Sequence, residues 1–157
     1  MKDRVEKAVE LFKSGYNCSQ SVVAAFADMY GFTQEQALRM SASFGGGIGR
    51  MRQTCGAACG MFLLAGLEKG AVDGKDREGK AANYALVQQL AEEFRKRNGS
   101  MICAELLGLK KPEGSSTPEA RTEQYTPSVP APKWWKRRRQ YGRSIWKNSG
   151  NRANRAV

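Results

Sequence analysis

The first proline of this chain is Pro112, and all five of its prolines lie between Pro112 and Pro132. A body without the residue that breaks helix interiors can be helical wherever its apolar pattern has helical period. In "DRVEKAVELFKSG", Val5, Ala8, Val9 and Phe12 recur at that spacing, and Gly15 supplies a stop. Asn17 is placed to cap "CSQSVVAAFADMYG", which ends at Gly31. Thr33 with Gln36 makes a capping box for "QEQALRMSASF". Glycines interrupt at "FGGGIG", after which Thr54 is expected to cap "CGAACGMFLLAGLEKG". A long helix is expected from about Lys75 to Arg97, with Leu86, Val87, Leu90 and Phe94 on one stripe. Ser100 then caps a short last helix, "MICAELLG". No alternating strand pattern and no tandem repeat competes with this reading. The expected fold is all-α: a small helical bundle of about five or six helices with an irregular basic C-terminal tail.

Charge divides the chain at the same place as proline. From Thr126 onward there are 9 Lys/Arg and no acid, so the net charge of +11 shrinks to +2 over residues 1–125. Three units follow: a helical cysteine-bearing domain over 1–110, a proline-rich linker over 111–132, and a basic tail over 133–157, expected to lack a fixed fold. No apolar run approaches the ~18–20 residues that cross a bilayer. The start, "MKDRVEKAVELF", is charged and periodic rather than a signal peptide. No membrane association is expected, and a cytoplasmic location is.

In a reducing compartment, four cysteines point to free thiols, metal ligands or redox groups before a structural disulfide frame. The chain has no histidine, which removes Ser-His-Asp and Cys-His catalysis and mixed Cys/His zinc sites. Three of the cysteines share a position: Cys18 follows Asn17, Cys55 follows Thr54, and Cys103 comes three after Ser100. Each is expected in the first turn of a helix, where free backbone N–H groups and the positive dipole end favour a thiolate. A thiolate is the nucleophile, the redox-active form and the metal ligand. Helix ends collect at the ends of a bundle, so the three are candidates to converge. The plainer alternative is that each only fills space, as buried cysteines often do.

Cys59 lies four after Cys55 on the same helix face, with Cβ atoms expected ~5–6 Å apart. That is long for a disulfide, which wants ~3.5–4.5 Å, though two ligands to one metal fit more easily. A small core residue is the simpler reading of Cys59. The run "FGGGIGRMR" is neither GxxxxGK[ST] nor a GxGxxG after a strand, so it reads as a tight connection rather than a phosphate loop. Its place just before Cys55 makes Gly45, Gly46 and Gly47 candidate cofactor-lining residues, with N–H groups able to donate to sulfur.

The string "CGAACG" resembles the CGAxxG motif of a family of small four-cysteine redox-active proteins (C_GCAxxG_C_C type). The resemblance extends to "GYNCSQSV" and "FGGGIGR" before it and "GSMICAELLG" after it, and covers roughly residues 1–110. It implies that Cys18, Cys55 and Cys103 match the first three of the family's four cysteines, while Cys59 falls on a variable position and inherits no role. It implies redox chemistry as a class, and no particular reaction. The family's fourth cysteine belongs to a C-terminal helical segment, and nothing after Cys103 is a cysteine. One choice of synonymous codons, with each third base read together with the next two from Pro127–Ser128, turns the tail into "KRPCAKMVEEAAAIWEEHLE". That string is acidic, amphipathic and headed by Pro-Cys, so the tail is expected to be a frameshift product. A bundle that has lost a helix would leave a gap that a homodimer could cover.

The expected function is therefore that of a redox-active protein, an oxidoreductase or electron-transfer component, with Cys18, Cys55 and Cys103 as its reactive thiols. In the sharper form these three ligate an iron–sulfur cluster or another thiolate-bound metal, with Cys59 as a substitute fourth ligand. A metal-free dithiol switch, such as Cys18 with Cys55, uses the same residues. From a different class comes a basic-tailed nucleic-acid-binding module built on "KWWKRRRQYGR". There Lys136 to Arg139 would neutralise phosphates, while Trp134, Trp135 and Tyr141 stack on bases. As an artefact the same tail would still bind polyanions nonspecifically. The redox partner is not named by the sequence.

Overall fold

The structure, a computed structural model, describes residues 4–110 and 114–118. Apart from 114–118, the expected linker and the whole basic tail, with its frameshift and nucleic-acid readings, lie outside the described residues. The first helix, α1 (Arg4–Lys13), buries Val5, Ala8 and Phe12, three of the four residues of its apolar stripe. Next comes α2 (Cys18–Phe26), the centre of the bundle, with α1, α3 and α4 packed around it. A helix covered on so many sides buries residues all round, and Ser19, Ser21, Val22, Val23, Ala24, Ala25 and Phe26 are all buried. Its small residues let the neighbouring helices come close.

Both expected capping boxes form. Asn17 Oδ1 accepts from the Gln20 N–H at 3.0 Å, and Gln20 Oε1 accepts from the Asn17 N–H at 3.1 Å. Thr33 and Gln36 do the same ahead of α3 (Gln34–Ser41). Between these two helices the chain tightens into a 3-10 turn, Ala27–Tyr30, ended by Gly31. A second 3-10 turn, Ala42–Phe44, leads out of α3 into the glycine loop. Beyond the loop run α4 (Gly56–Lys69), α5 (Arg77–Asn98) and the single turn α6 (Cys103–Leu106). Asp76 caps α5 by accepting from the Gly79 N–H at 2.8 Å.

The main core joins Phe12, Val22, Phe26, Met61, Leu64 and Phe94, and a smaller cluster of Val23, Ala24, Ala27 and Ala37 seals α2 against α3. On α5 only Phe94 of the expected stripe is fully buried; Leu86, Val87 and Leu90 stay half-buried, since α5 rests against α4 along one side. None of the helices among the described residues is long and apolar enough to cross a membrane.

Two of the expected caps differ. Thr54 does not cap α4: the cap position is Cys55, which makes no side-chain cap bond. Thr54 is instead paired with Ile102 in an isolated antiparallel bridge. Ser100 sits two residues early; its hydroxyl accepts from the Ile102 N–H at 2.9 Å, and Ile102 is the cap of α6. In both places a long-range backbone pairing has displaced a local capping preference.

Candidate thiol site

The Thr54–Ile102 bridge is the frame of the site. The Cys55 N–H donates to the Met101 carbonyl at 2.8 Å, and the Cys103 N–H donates to the Gln53 carbonyl at 2.6 Å. Successive residues of extended chain face opposite ways. Cys55 and Cys103 each lie one step beyond the bridged pair, so they share its other face. Each then starts a helix at once, Cys55 as the cap of α4 and Cys103 as the first residue of α6.

Cys18, the first residue of α2, meets them through Gly56. A Cβ on Gly56 would lie 2.7 Å from the Phe44 carbonyl oxygen, 3.3 Å from the Ser19 nitrogen and 3.4 Å from the Cys18 Cβ. The head of α4 can press against the head of α2 because no side chain stands between them. Gly47 does the same for the third head: a Cβ there would fall 2.5 Å from the Cys103 Cβ. Its φ of 76° is in the left-handed region as well, so the position demands glycine twice over. The three helix-head cysteines are thus gathered at one end of the bundle.

All four cysteines are free thiols. Cys18 is half-buried, while Cys55, Cys59 and Cys103 are buried. At Cys55, burial pushes the thiol up, against the pull of the Ala57 and Ala58 N–H groups at the helix start, and the nearby Cys103 adds to the push. The donors expected at a helix head are present, but desolvation outweighs them, so reduced Cys55 is a neutral thiol at neutral pH. Cys59 stands apart from the helix heads. Its S–H points to the Thr54 carbonyl, with the sulfur 3.8 Å from that oxygen, and burial first, then Cys55, pushes it up to about 11.

The glycine loop between α3 and α4 holds an unusual backbone. Gly46, Gly47, Ile48, Gly49 and Arg50 all have φ between 56° and 76°, and Arg52 follows at 60°. For a residue with a side chain this region is strained by ~1–3 kcal/mol, and most for a β-branched one such as Ile48. Long-reaching backbone bonds hold the loop: Gly49 N–H to the Ser43 carbonyl at 2.7 Å, and Gln53 N–H to the Gly47 carbonyl at 2.9 Å. Strain retained in this way concentrates at functional positions. It turns Arg50 and Arg52 toward the end of the bundle where the thiols lie, and Arg52 is only 2% exposed.

The candidate lining residues divide. Gly45 and Gly46 border a cleft beside Cys18, whereas Gly47 is buried against Cys103. Arg50 and Arg52 carry no local signal in the sequence as site residues, because nothing there announces a left-handed run at Ile48, Arg50 and Arg52.

Thiols are suitable donors for a soft metal or an iron–sulfur cluster. Among the described residues, however, no three Cys, Asp or Glu side chains are spaced to hold one ion. The described residues therefore do not make up a complete ligand set.

The chain matches the family model described as "Putative redox-active protein (C_GCAxxG_C_C)" over residues 16–129, which includes all four cysteines. No curated protein and no solved structure matches it.

Proposed function

The chain belongs to this redox-active family, and from that premise we propose that it is a thiol redox protein whose centre is formed by Cys18, Cys55 and Cys103. The observation that carries the reading is the close approach of the α4 head to the α2 head at Gly56, next to the Thr54–Ile102 bridge that sets the starts of α4 and α6 side by side. Two thiols become a disulfide by giving up two electrons and two protons. The buried Cys55, a neutral thiol when reduced, suits the reduced state because it carries no charge in a dry setting. Cys18, the more exposed thiol, exchanges with reactants from outside, and Cys55 or Cys103 then resolves the resulting bond. Cys59, held on the Thr54 carbonyl, is outside the exchange.

The test is a redox titration of the intact chain, read by alkylation and mass spectrometry. A two-electron couple is expected that Cys59→Ser keeps and that Cys18→Ser, Cys55→Ser or Cys103→Ser alters. Thiols that stay free at every buffer potential would sink the proposal. The cluster reading of the same three cysteines has its own arm: iron and acid-labile sulfide measured on protein purified without oxygen. Stoichiometric amounts of both would replace the dithiol with a cluster.

A further inference from the structure

The glycine loop between α3 and α4 is pinned at each end by a helix head that carries a thiol. At its entry, Asn17 Nδ2 donates to the Ala42 carbonyl at 2.9 Å, and a Cβ on Gly45 would fall 2.5 Å from the Asn17 Cγ. Asn17 is the cap of α2 and the neighbour of Cys18. At its exit, the turn of α6 takes hold. The Cys103 N–H donates to the Gln53 carbonyl at 2.6 Å, and the Ala104 N–H donates to the Arg52 carbonyl at 3.1 Å. The Cys103 Cβ also presses on Gly47. Between the two pins, Ile48, Arg50 and Arg52 hold φ of 62°, 64° and 60°. Residues with side chains persist in that region only where the surrounding contacts over-determine them. At the exit, those contacts come from Cys103 and the residue after it.

We infer that this loop is a redox latch: reduced Cys103 holds its strained form, and a Cys18–Cys103 disulfide releases it. This rests on the thiol redox reading and adds the regulation of that site. In the step, Cys18 gives its proton to solvent and its sulfur attacks one sulfur of an external disulfide, R–S–S–R. Cys18–S–S–R forms, and RS⁻ leaves with the electron pair and takes up a proton. Cys103 then gives its proton to solvent and attacks the Cys18 sulfur, so that the Cys18–Cys103 bond forms and the second RS⁻ leaves and is protonated. Two protein thiols are oxidised, and one R–S–S–R is reduced to two RSH. Cys103 is the partner that moves most easily. Cys55 heads α4, 14 residues packed on both α2 and α5, whereas Cys103 heads a single turn of 4. Two sulfurs bond only at ~2.05 Å, with Cβ atoms ~3.5–4.5 Å apart, so pairing draws the α6 turn toward α2. That shift takes the Cys103 Cβ off Gly47 and pulls on the two N–H bonds that hold Arg52 and Gln53. With the exit pin gone, the left-handed residues fall back to ordinary φ and the bonds inside the loop open.

The experiment is amide hydrogen exchange on the full chain, reduced and after oxidation by bis(2-hydroxyethyl) disulfide, with the link located by non-reducing peptide mapping. The expected link joins Cys18 to Cys103. In the reduced chain the N–H groups of Gly49, Arg50, Arg52 and Gln53 are bonded to carbonyls of residues 43–47. In the linked chain these amides should exchange about tenfold faster, while the Leu86–Phe94 segment of α5 stays as it was. Cys59→Ser should keep this response. Cys103→Ser, given the same oxidant, should stop at the Cys18 adduct and keep the loop protected. An unchanged loop in the linked chain, a uniform rise that includes α5, a link from Cys18 to Cys55, or a released loop in Cys103→Ser would each overturn the inference. A protein disulfide formed with a quiet loop removes the latch and leaves the redox reading standing; thiols that never pair remove the redox reading itself.

Discussion

A methyl group on Gly47 has nowhere to go. It would sit 2.5 Å from the Cys103 Cβ and 2.8 Å from the Gln53 nitrogen, on a backbone already at φ 76°. Gly47→Ala should therefore lower stability by about 2–4 kcal/mol, the combined cost of overpacking and left-handed strain. Urea unfolding checks this, with Gly66→Ala as the contrast: no atom lies within 4 Å of a Cβ there, so the helix preference for alanine should dominate and stabilise by about 0.5–1 kcal/mol. The thiols make a second prediction. Alkylation by iodoacetamide at pH 7 should reach Cys18 first, and Cys55 should lag until the pH rises above the ordinary cysteine range, because burial holds its thiol up. Isotope-coded labelling across pH 7–10 reads both, and equal rates at neutral pH would contradict the ordering. Cys18 was legible at its helix head because its cap, Asn17, is its neighbour in the chain, whereas Cys55 and Cys103 reach theirs beside a long-range bridge that no local cap announces. The burial of Arg52 was not legible, since it depends on a left-handed loop that composition does not announce.

Elements were legible where their ends are closed by local bonds. Asn17 with Gln20 and Thr33 with Gln36 satisfy each other across three residues, and both boxes form where the sequence placed them. Thr54 is the instructive exception. Its hydroxyl is a good cap by type, yet the bonds flanking its bridge to Ile102 hold Thr54 one residue before the cap position, Cys55. That competition involves a partner 48 residues away, outside the reach of any local pattern. A second long-range contact gives a pH prediction. Arg4 of α1 grips Asp28 of the 3-10 turn with two bonds, Nη1–Oδ1 at 2.7 Å and Nη2–Oδ2 at 2.8 Å. The Arg4 hydrogen bond holds the Asp28 carboxyl down to about 2. Because the folded value lies below the unfolded one, the pair stabilises the fold above ~pH 4, and its contribution fades as the pH falls from about 4 to 2. The Asp28 side chain is 64% exposed, so solvent screening limits the effect to at most about 1 kcal/mol. Asp28→Asn should lose that much at pH 7 and match the unmutated protein near pH 2; a gap that persists unchanged in acid would place the effect elsewhere.

At the scale of the whole molecule, periodicity and punctuation were enough to predict an all-α bundle of about five or six helices, but not which helix lies at its centre. Nothing in "CSQSVVAAF" is more apolar than the α4 segment; α2 is central because its serines and alanines allow three helices to approach it. The outer helix α5 keeps Leu86, Val87 and Leu90 half-covered for the opposite reason, since α4 meets it on one side. The charge of the molecule is placed elsewhere. The family match ends at residue 129, and the first basic residue after Thr126 is Lys133, so all 9 Lys/Arg that make the chain strongly cationic lie beyond it. Each residue assigned to the thiol site lies before them. Truncation after Tyr125 should accordingly reduce the net charge from +11 to +2 and abolish retention on heparin at moderate salt, because such binding scales with the number of cations that displace counterions. The same truncated chain should keep its two-electron thiol couple. If the couple disappears while the helical signal persists, the residues after Tyr125 contribute to the redox centre. If heparin retention survives, the field responsible belongs to the helical body.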